Sequence, residues 1–175
     1  MILNKSEITQ DLLKEYLNYD KLTGELTWAK KLCSKTVVGR RAGTKVKGRD
    51  NRIIKIFGQV FIEHRLIWFM ETGYMPTEHI DHENHREDDN SWKNLRLVTQ
   101  AVNNMNQSLR HDNKSGVIGV RFNDHNGLKK FTAEIWCNGK KRTKSFELFE
   151  EAVLQRSTWE RELGFHPNHG IEKPI

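Results

Sequence analysis

The chain has 175 residues, 30% of them charged, with a formal net charge of +6 and a mean hydropathy of −0.75. That length suits one domain or two small ones with modest cores. No apolar run reaches the ~18 residues of a membrane span, and the N-terminus lacks the apolar stretch of a signal peptide. With Cys33 and Cys137 as the only cysteines, no disulfide framework is possible and a reducing, cytoplasmic setting is expected.

Residues 6–18 are predicted to be helical, with Ser6 or Thr9 as cap and Leu12, Leu13, Tyr16 and Leu17 as an apolar stripe. Residues 19–28 then read as a turn at Thr23-Gly24 followed by a strand carrying Leu26 and Trp28. Residues 29–52 are rich in Gly, Lys and Arg and lack sustained periodicity, so loops around one short strand are expected. From Lys30 to Lys55 there are ten basic residues against one acidic, Asp50. Such a cluster is an electrostatic footprint for a polyanion, although a solvated basic loop has the same composition. Residues 52–56 and 59–62 form a predicted hairpin around Phe57-Gly58, and 63–72 a helix with Leu66, Ile67, Phe69 and Met70 partly buried. His64 and Arg65 on that helix face either DNA or the interior.

The stretch from His79 to Asn103 has too many histidines, carboxylates and asparagines for an ordinary core element. Ile80 anchors its start, Asp81-His82 follow, and a polar loop leads to Leu95, Leu97 and Val98. Two short strands, a polar loop and a helix over 100–109 would bring Asp81, His82 and Asn103 together. Neutral imidazole takes a proton from water near neutral pH. Carboxylate and amide oxygens are hard ligands that suit Mg²⁺ or Mn²⁺. The histidines at 79, 82 and 85 also have a zinc-like spacing, but no cysteine lies near them. Asn103 and Asn106 would share a face of the helix, which is asparagine-rich and so a poor helix by propensity.

Residues 110–116 have linker composition. Strands are predicted at 117–122, 131–137 and 140–146, with Asn138-Gly139 as a two-residue hairpin turn. An amphipathic helix over 149–163, stopped by Gly164, covers one sheet face. On the other face the pattern places Arg121, Thr132, Trp136, Lys140 and Arg142, with Lys144 nearby, a basic surface with an aromatic that suits nucleic acid.

Asp81-His82, Asp89-Asn90, Asn94-Leu95-Arg96, Thr99 and Asn103, with the lead-in His64-Arg65-Leu66-Ile67-Trp68 and Gly73-Tyr74-Met75-Pro76, resemble the HNH homing endonucleases encoded by phages and introns. Ser115-Gly116-Val117-Ile118-Gly119-Val120-Arg121, Ala133-Glu134-Ile135, Asn138-Gly139-Lys140 and Phe146 followed by Glu150-Glu151-Ala152 resemble an AP2 DNA-binding domain. Together the resemblances imply an α+β chain. A ββα-metal nuclease core at about 64–109, with an N-terminal extension from residue 1, would precede a linker at 110–116. An AP2-like three-stranded sheet plus helix at 117–165 and a tail at 166–175 would follow.

They imply His82 as general base, Asp81 and Asn103 as ligands of one Mg²⁺ or Mn²⁺, and Asn94 as a brace of the loop. The expected substrate is double-stranded DNA, contacted by Arg40, Arg41, Lys45, Lys47, Arg49, Arg65, Arg121, Trp136, Lys140, Arg142 and Lys144. The enzyme would nick it as a monomer or weak dimer, with no membrane and no protein partner required, in the cytoplasm of a bacterial host. A DNA-binding regulator built on an inactive nuclease scaffold is the alternative.

Overall fold

The computed structural model describes residues 2–125 and 128–171, so the end of the predicted tail, 172–175, lies outside the described residues. The chain is a mixed α/β protein of small antiparallel sheets, and its contacts divide it into two units, Met1–Val98 and Thr99–Ile175. No helix among the described residues is long and apolar enough to cross a membrane.

In the first unit, helix α1 (Gln10–Tyr16) is capped by Thr9, whose Oγ1 accepts a hydrogen bond from the Leu12 amide at 3.2 Å. It is shorter than the predicted 6–18. Lys5–Glu7 forms a separate single turn, and Leu17 leaves the helix to open strand β1 (Leu17–Tyr19). There Leu17 pairs with Trp28 of β2 (Leu26–Trp28). Sheet pairing and burial outweigh the helical periodicity at that position.

Strands β3 (Thr44–Lys45), β4 (Arg52–Ile56) and β5 (Gln59–Ile62) form a three-stranded sheet in that order. The β4–β5 turn is Phe57-Gly58, with φ of 53° and 79°, the positive pair that a two-residue hairpin requires. A bulky residue resists that conformation. Phe57 is held in it by burial and by an edge-to-face contact with Tyr16, ring centroids 5.0 Å apart. Helix α2 (Glu63–Thr72) follows β5 without a loop. Leu13, Leu17, Leu26, Ile54, Ile56, Phe57, Leu66, Ile67 and Met70 are fully buried between these elements. Each large apolar side chain contributes about 1.5–3 kcal/mol by leaving water. Strands β6 (His79–His82) and β7 (Leu95–Val98) pair with Asp81 opposite Arg96 and His82 opposite Leu95.

The second unit opens with helix α3 (Gln100–Asn104), capped by Thr99, whose Oγ1 accepts from the Val102 amide at 3.3 Å. The expected helix to Leu109 is not formed. The Met105 and Asn106 amides bond to Val102 and Asn103 carbonyls, tightening the end, and Asn106 is buried beyond the helix rather than sharing a helical face with Asn103. The poor helix propensity of this asparagine-rich run accounts for the early stop. Within 110–116, Asn113 Oδ1 accepts from the amides of Ser115 and Gly116, a local turn.

Strands β8 (Val120–His125), β9 (Leu128–Cys137) and β10 (Lys140–Phe146) form an antiparallel sheet with β9 central. The first begins three residues later than predicted. Asn138 and Gly139, with φ of 51° and 72°, make the predicted turn. Helix α4 (Phe149–Leu163) ends at Gly164 as expected. Val120, Ala133 and Ala152 are buried, with Phe131, Phe146, Phe149, Val153 and Trp159 packed around them.

The register corrects one expectation. The tight turn pairs Lys140 with Cys137, Arg142 with Ile135 and Lys144 with Ala133. Partners across an antiparallel pair share a face. Lys140, Arg142 and Lys144 therefore belong to the helix-covered side, where Arg142 Nη1 meets Glu162 Oε2 of α4 at 3.1 Å. The open face keeps Arg121, Thr132 and Trp136 and takes Lys141, the partner of Trp136.

Candidate active site

Strands β6 and β7 set the first part of the site. Because Asp81 lies opposite Arg96, the guanidinium Nε and Nη2 both donate to Asp81 Oδ2, at 2.9 and 2.7 Å. Asp81 and the adjacent His82 are buried, although neighbours on a strand point to opposite faces. The same alternation sends His79 and His82, three apart, to opposite sides of β6.

The loop joining β6 to β7 is closed around Asn94. Its Oδ1 accepts from the Asn84 amide at 3.0 Å, its Nδ2 donates to the Asp89 carbonyl at 2.7 Å, and its own carbonyl accepts from the Glu83 amide at 3.0 Å. Asn84 Nδ2 donates to Asp89 Oδ2 at 2.7 Å, and the Ser91 amide to Asp89 Oδ1 at 3.1 Å. The loop thus carries its own polar scaffold, and Asn94 is its buried hub.

The third side comes from elements distant in sequence. His82 Nε2 lies 2.9 Å from Asn90 Oδ1, and Asn90 Nδ2 donates to Glu63 Oε2 at 2.9 Å. Glu63, first residue of α2, is 1% exposed and receives Arg41 Nη2 at 3.2 and 3.4 Å on its two oxygens, with Arg52 Nε 4.0 Å away. Burial pushes the Glu63 carboxyl up, against the pull of the two arginines and Asn90. Next to it, His64 stands edge-on to His82, ring centroids 5.1 Å apart. Burial, then His82 and Arg65, push the His64 imidazole down to about 3, so it is neutral at ordinary pH. Tyr19 Oη donates to the Asn90 carbonyl at 2.8 Å, and burial raises its phenol.

Sequence reading missed Glu63, Arg52 and the duty of Asn90, and it offered His64 to DNA as readily as to the interior. The available signal was a single acid opening α2 beside a strongly basic segment, together with Asn90 inside the motif.

Several residues expected to touch DNA are engaged internally. Arg41 bonds Glu25 and Glu63 and is turned inward, Lys45 pairs with Asp50 at 3.1 Å, and Arg65 donates to the carbonyls of Pro76 and Glu78. Arg40, Lys47 and Arg49 are exposed. Arg40 lines an open groove of about 690 Å³ together with Lys35, Lys55, Trp28 and Val37. In the second unit, Arg121 and Lys141 both reach Glu134 Oε2, at 2.8 and 3.0 Å. Lys141 Nζ also lies 5.8 Å from the Trp136 ring, which is 62% exposed. Asn103 is half-buried on α3.

Among the described residues, no three His, Cys, Asp or Glu side chains converge as a metal cluster. A site for a hard cation would have to be sparse, with Asp81 as its carboxylate. That chemistry is compatible with Mg²⁺ or Mn²⁺, which take few protein oxygens and keep several waters. Arg96 places its positive charge against Oδ2 of this buried carboxylate.

Residues 63–105 match the family model described as HNH endonuclease. The matched span contains Glu63, His64, Asp81, His82, Asn90, Asn94, Arg96 and Asn103. It supports a nuclease acting on DNA, in a family that generally uses a divalent metal ion. No curated protein and no solved structure matches the chain.

Proposed function

We propose that the chain is a metal-dependent homing-type DNA endonuclease that hydrolyses a phosphodiester and nicks duplex DNA as a monomer. The observation that carries this reading is His82, held through Nε2 by Asn90 beside the Arg96-paired Asp81, within the span that matches the HNH endonuclease family. His82 takes the proton of a water that attacks the scissile phosphorus. The new oxygen–phosphorus bond forms as the bond to the 3′ oxygen breaks, leaving 5′-phosphate and 3′-hydroxyl ends. Asn94 keeps the loop closed, so that Asn90 stays against His82.

Asp81 would hold one Mg²⁺ or Mn²⁺, which supplies charge neutralisation at the phosphate and the leaving oxygen. Asn103 enters as second ligand on the strength of the sequence resemblance. The second unit would position DNA as an AP2-like domain does, through the open sheet face of Arg121, Trp136 and Lys141. The exposed basic residues between 30 and 55 would hold backbone phosphate.

The test is cleavage of supercoiled plasmid and of phage genomic DNA with Mg²⁺, Mn²⁺ or EDTA, run on wild type and His82→Ala. Nicked circles are expected with wild type and metal alone. His82→Ala is expected to lose at least about 10²-fold in rate with DNA affinity nearly unchanged. Cleavage retained in that variant would remove His82 as the base. Tight DNA binding without cutting on any substrate would favour a binding-only regulator.

A further inference from the structure

The buried carboxylate of Glu63 lies outside the reacting atoms, and the proposed reaction has no chemical step for it. A chain of hydrogen bonds nevertheless runs from it to His82. Glu63 Oε2 receives Arg41 as an acceptor, so it must face the amide nitrogen of Asn90, 2.9 Å away. That choice turns Asn90 Oδ1 toward His82 Nε2, also at 2.9 Å. An amide oxygen likewise only accepts, so Nε2 must carry the proton. The neutral ring is then left with its lone pair on Nδ1, which makes no hydrogen bond with the described residues.

The first two links of the chain are held from outside. Arg41 and Arg52 hold Glu63 in place, and Tyr19 bonds the Asn90 carbonyl. We propose that Glu63 is a positioning residue: by orienting the Asn90 amide it fixes His82 as the Nε2–H tautomer and leaves Nδ1 as the atom that accepts the proton of water. The proposal rests on His82 being the general base.

The substitution Glu63→Gln separates orientation from simple filling of space. Arg41 requires an acceptor, so the new amide oxygen stays with Arg41 and the new NH₂ group faces Asn90. Asn90 must then rotate its amide to offer Oδ1 to glutamine, and it presents Nδ2 to His82. Only the Nδ1–H tautomer can accept that donor, and the lone pair is lost from Nδ1.

Long-range ¹H–¹⁵N correlation spectra of the full chain at a pH where His82 is neutral, without DNA or metal, read this directly. The wild type is expected to show the Nε2–H pattern for His82, and Glu63→Gln the Nδ1–H pattern. Cleavage is expected to fall by about 10²-fold in kcat with KM little changed. An Nδ1–H pattern in wild type overturns the proposal, and so does an unchanged Nε2–H pattern in folded Glu63→Gln.

Should Glu63→Gln not fold, Asn90→Ala decides. The slowly exchanging Hε2 resonance expected of wild-type His82 should disappear, and its persistence overturns the chain. Because the tautomer is read without substrate, absence of cutting by wild type would count against the nuclease reading and leave the positioning result standing.

Discussion

His64 shows how far one side chain can be set by its surroundings. It is packed against His82 at 5.1 Å and held neutral, its pKa pushed down to about 3 by burial first and by His82 and Arg65 second. A histidine depressed in the folded state favours unfolding in acid, because the unfolded chain binds the proton first, below its ordinary value near 6.5. Stability is therefore expected to fall between pH 6.5 and about 3 from this group, by roughly 3 kcal/mol at pH 4. His64→Phe should remove that slope, and urea unfolding of both proteins at pH 7 and pH 4 checks it. If the difference in stability between them is the same at both values, His64 is not held neutral. Legibility at this scale followed sequence distance. Asp81, His82 and Asn94 lie within one motif; the types of the first two pointed to hard-metal ligation and proton transfer, and the resemblance implied loop bracing by Asn94. Glu63 became part of the site only because residues 41, 52, 63 and 90 meet in space, and no local pattern records such a meeting.

Among the elements that carry none of the proposed reacting groups, the β1–β2 hairpin packs against the site loop. Its Gly24, at φ 77°, sits so close to the loop after β6 that an added Cβ would lie 2.3 Å from the Asn90 carbonyl carbon and the Ser91 nitrogen. Those are backbone atoms, so neither can swing aside. Gly24→Ala should therefore displace Asn90, with a cost well above the 1–3 kcal/mol typical of backbone strain alone and with loss of cutting. Gly48→Ala is the control: φ is 73°, but nothing lies within 4 Å of the added carbon, so about 1 kcal/mol of strain and normal cutting are expected. Thermal unfolding with plasmid nicking reads both, and equal effects would mean that Gly24 matters only through its own dihedrals. Elements with strong local grammar were legible: the Phe57-Gly58 hairpin, α2, the Asn138-Gly139 turn and α4. Those decided by competition were not. Helix α1 yields Leu17 to a strand, α3 stops at Asn104 among asparagines, and the face of each β10 side chain depends on a turn register that composition does not reveal.

At the scale of the whole molecule, a net charge of +6 does not say which basic residues face outward, and several of them are paired inside. Arg41, Arg52 and Arg96 serve Glu63 and Asp81 rather than a polyanion. Under the proposed function, the exposed basic residues between 30 and 55, Arg40, Lys47 and Arg49 among them, would serve DNA, with the open sheet face in the second unit. On that face Arg121 and Lys141 share Glu134, so in the proposed complex each would exchange a carboxylate for a phosphate. Counterion release makes affinity fall with salt, by about 0.9 in logarithmic slope for each phosphate neutralised. Lys141→Ala is therefore expected to weaken binding and flatten the slope by about one unit. Lys144→Ala, whose register partner Ala133 is on the helix-covered side, should leave the slope unchanged. Titration of duplex DNA at several salt concentrations distinguishes the two. An equal loss for Lys144→Ala would mean that DNA is gripped at the β10 edge rather than across the open face, and Trp136 would then have no role as a platform for it.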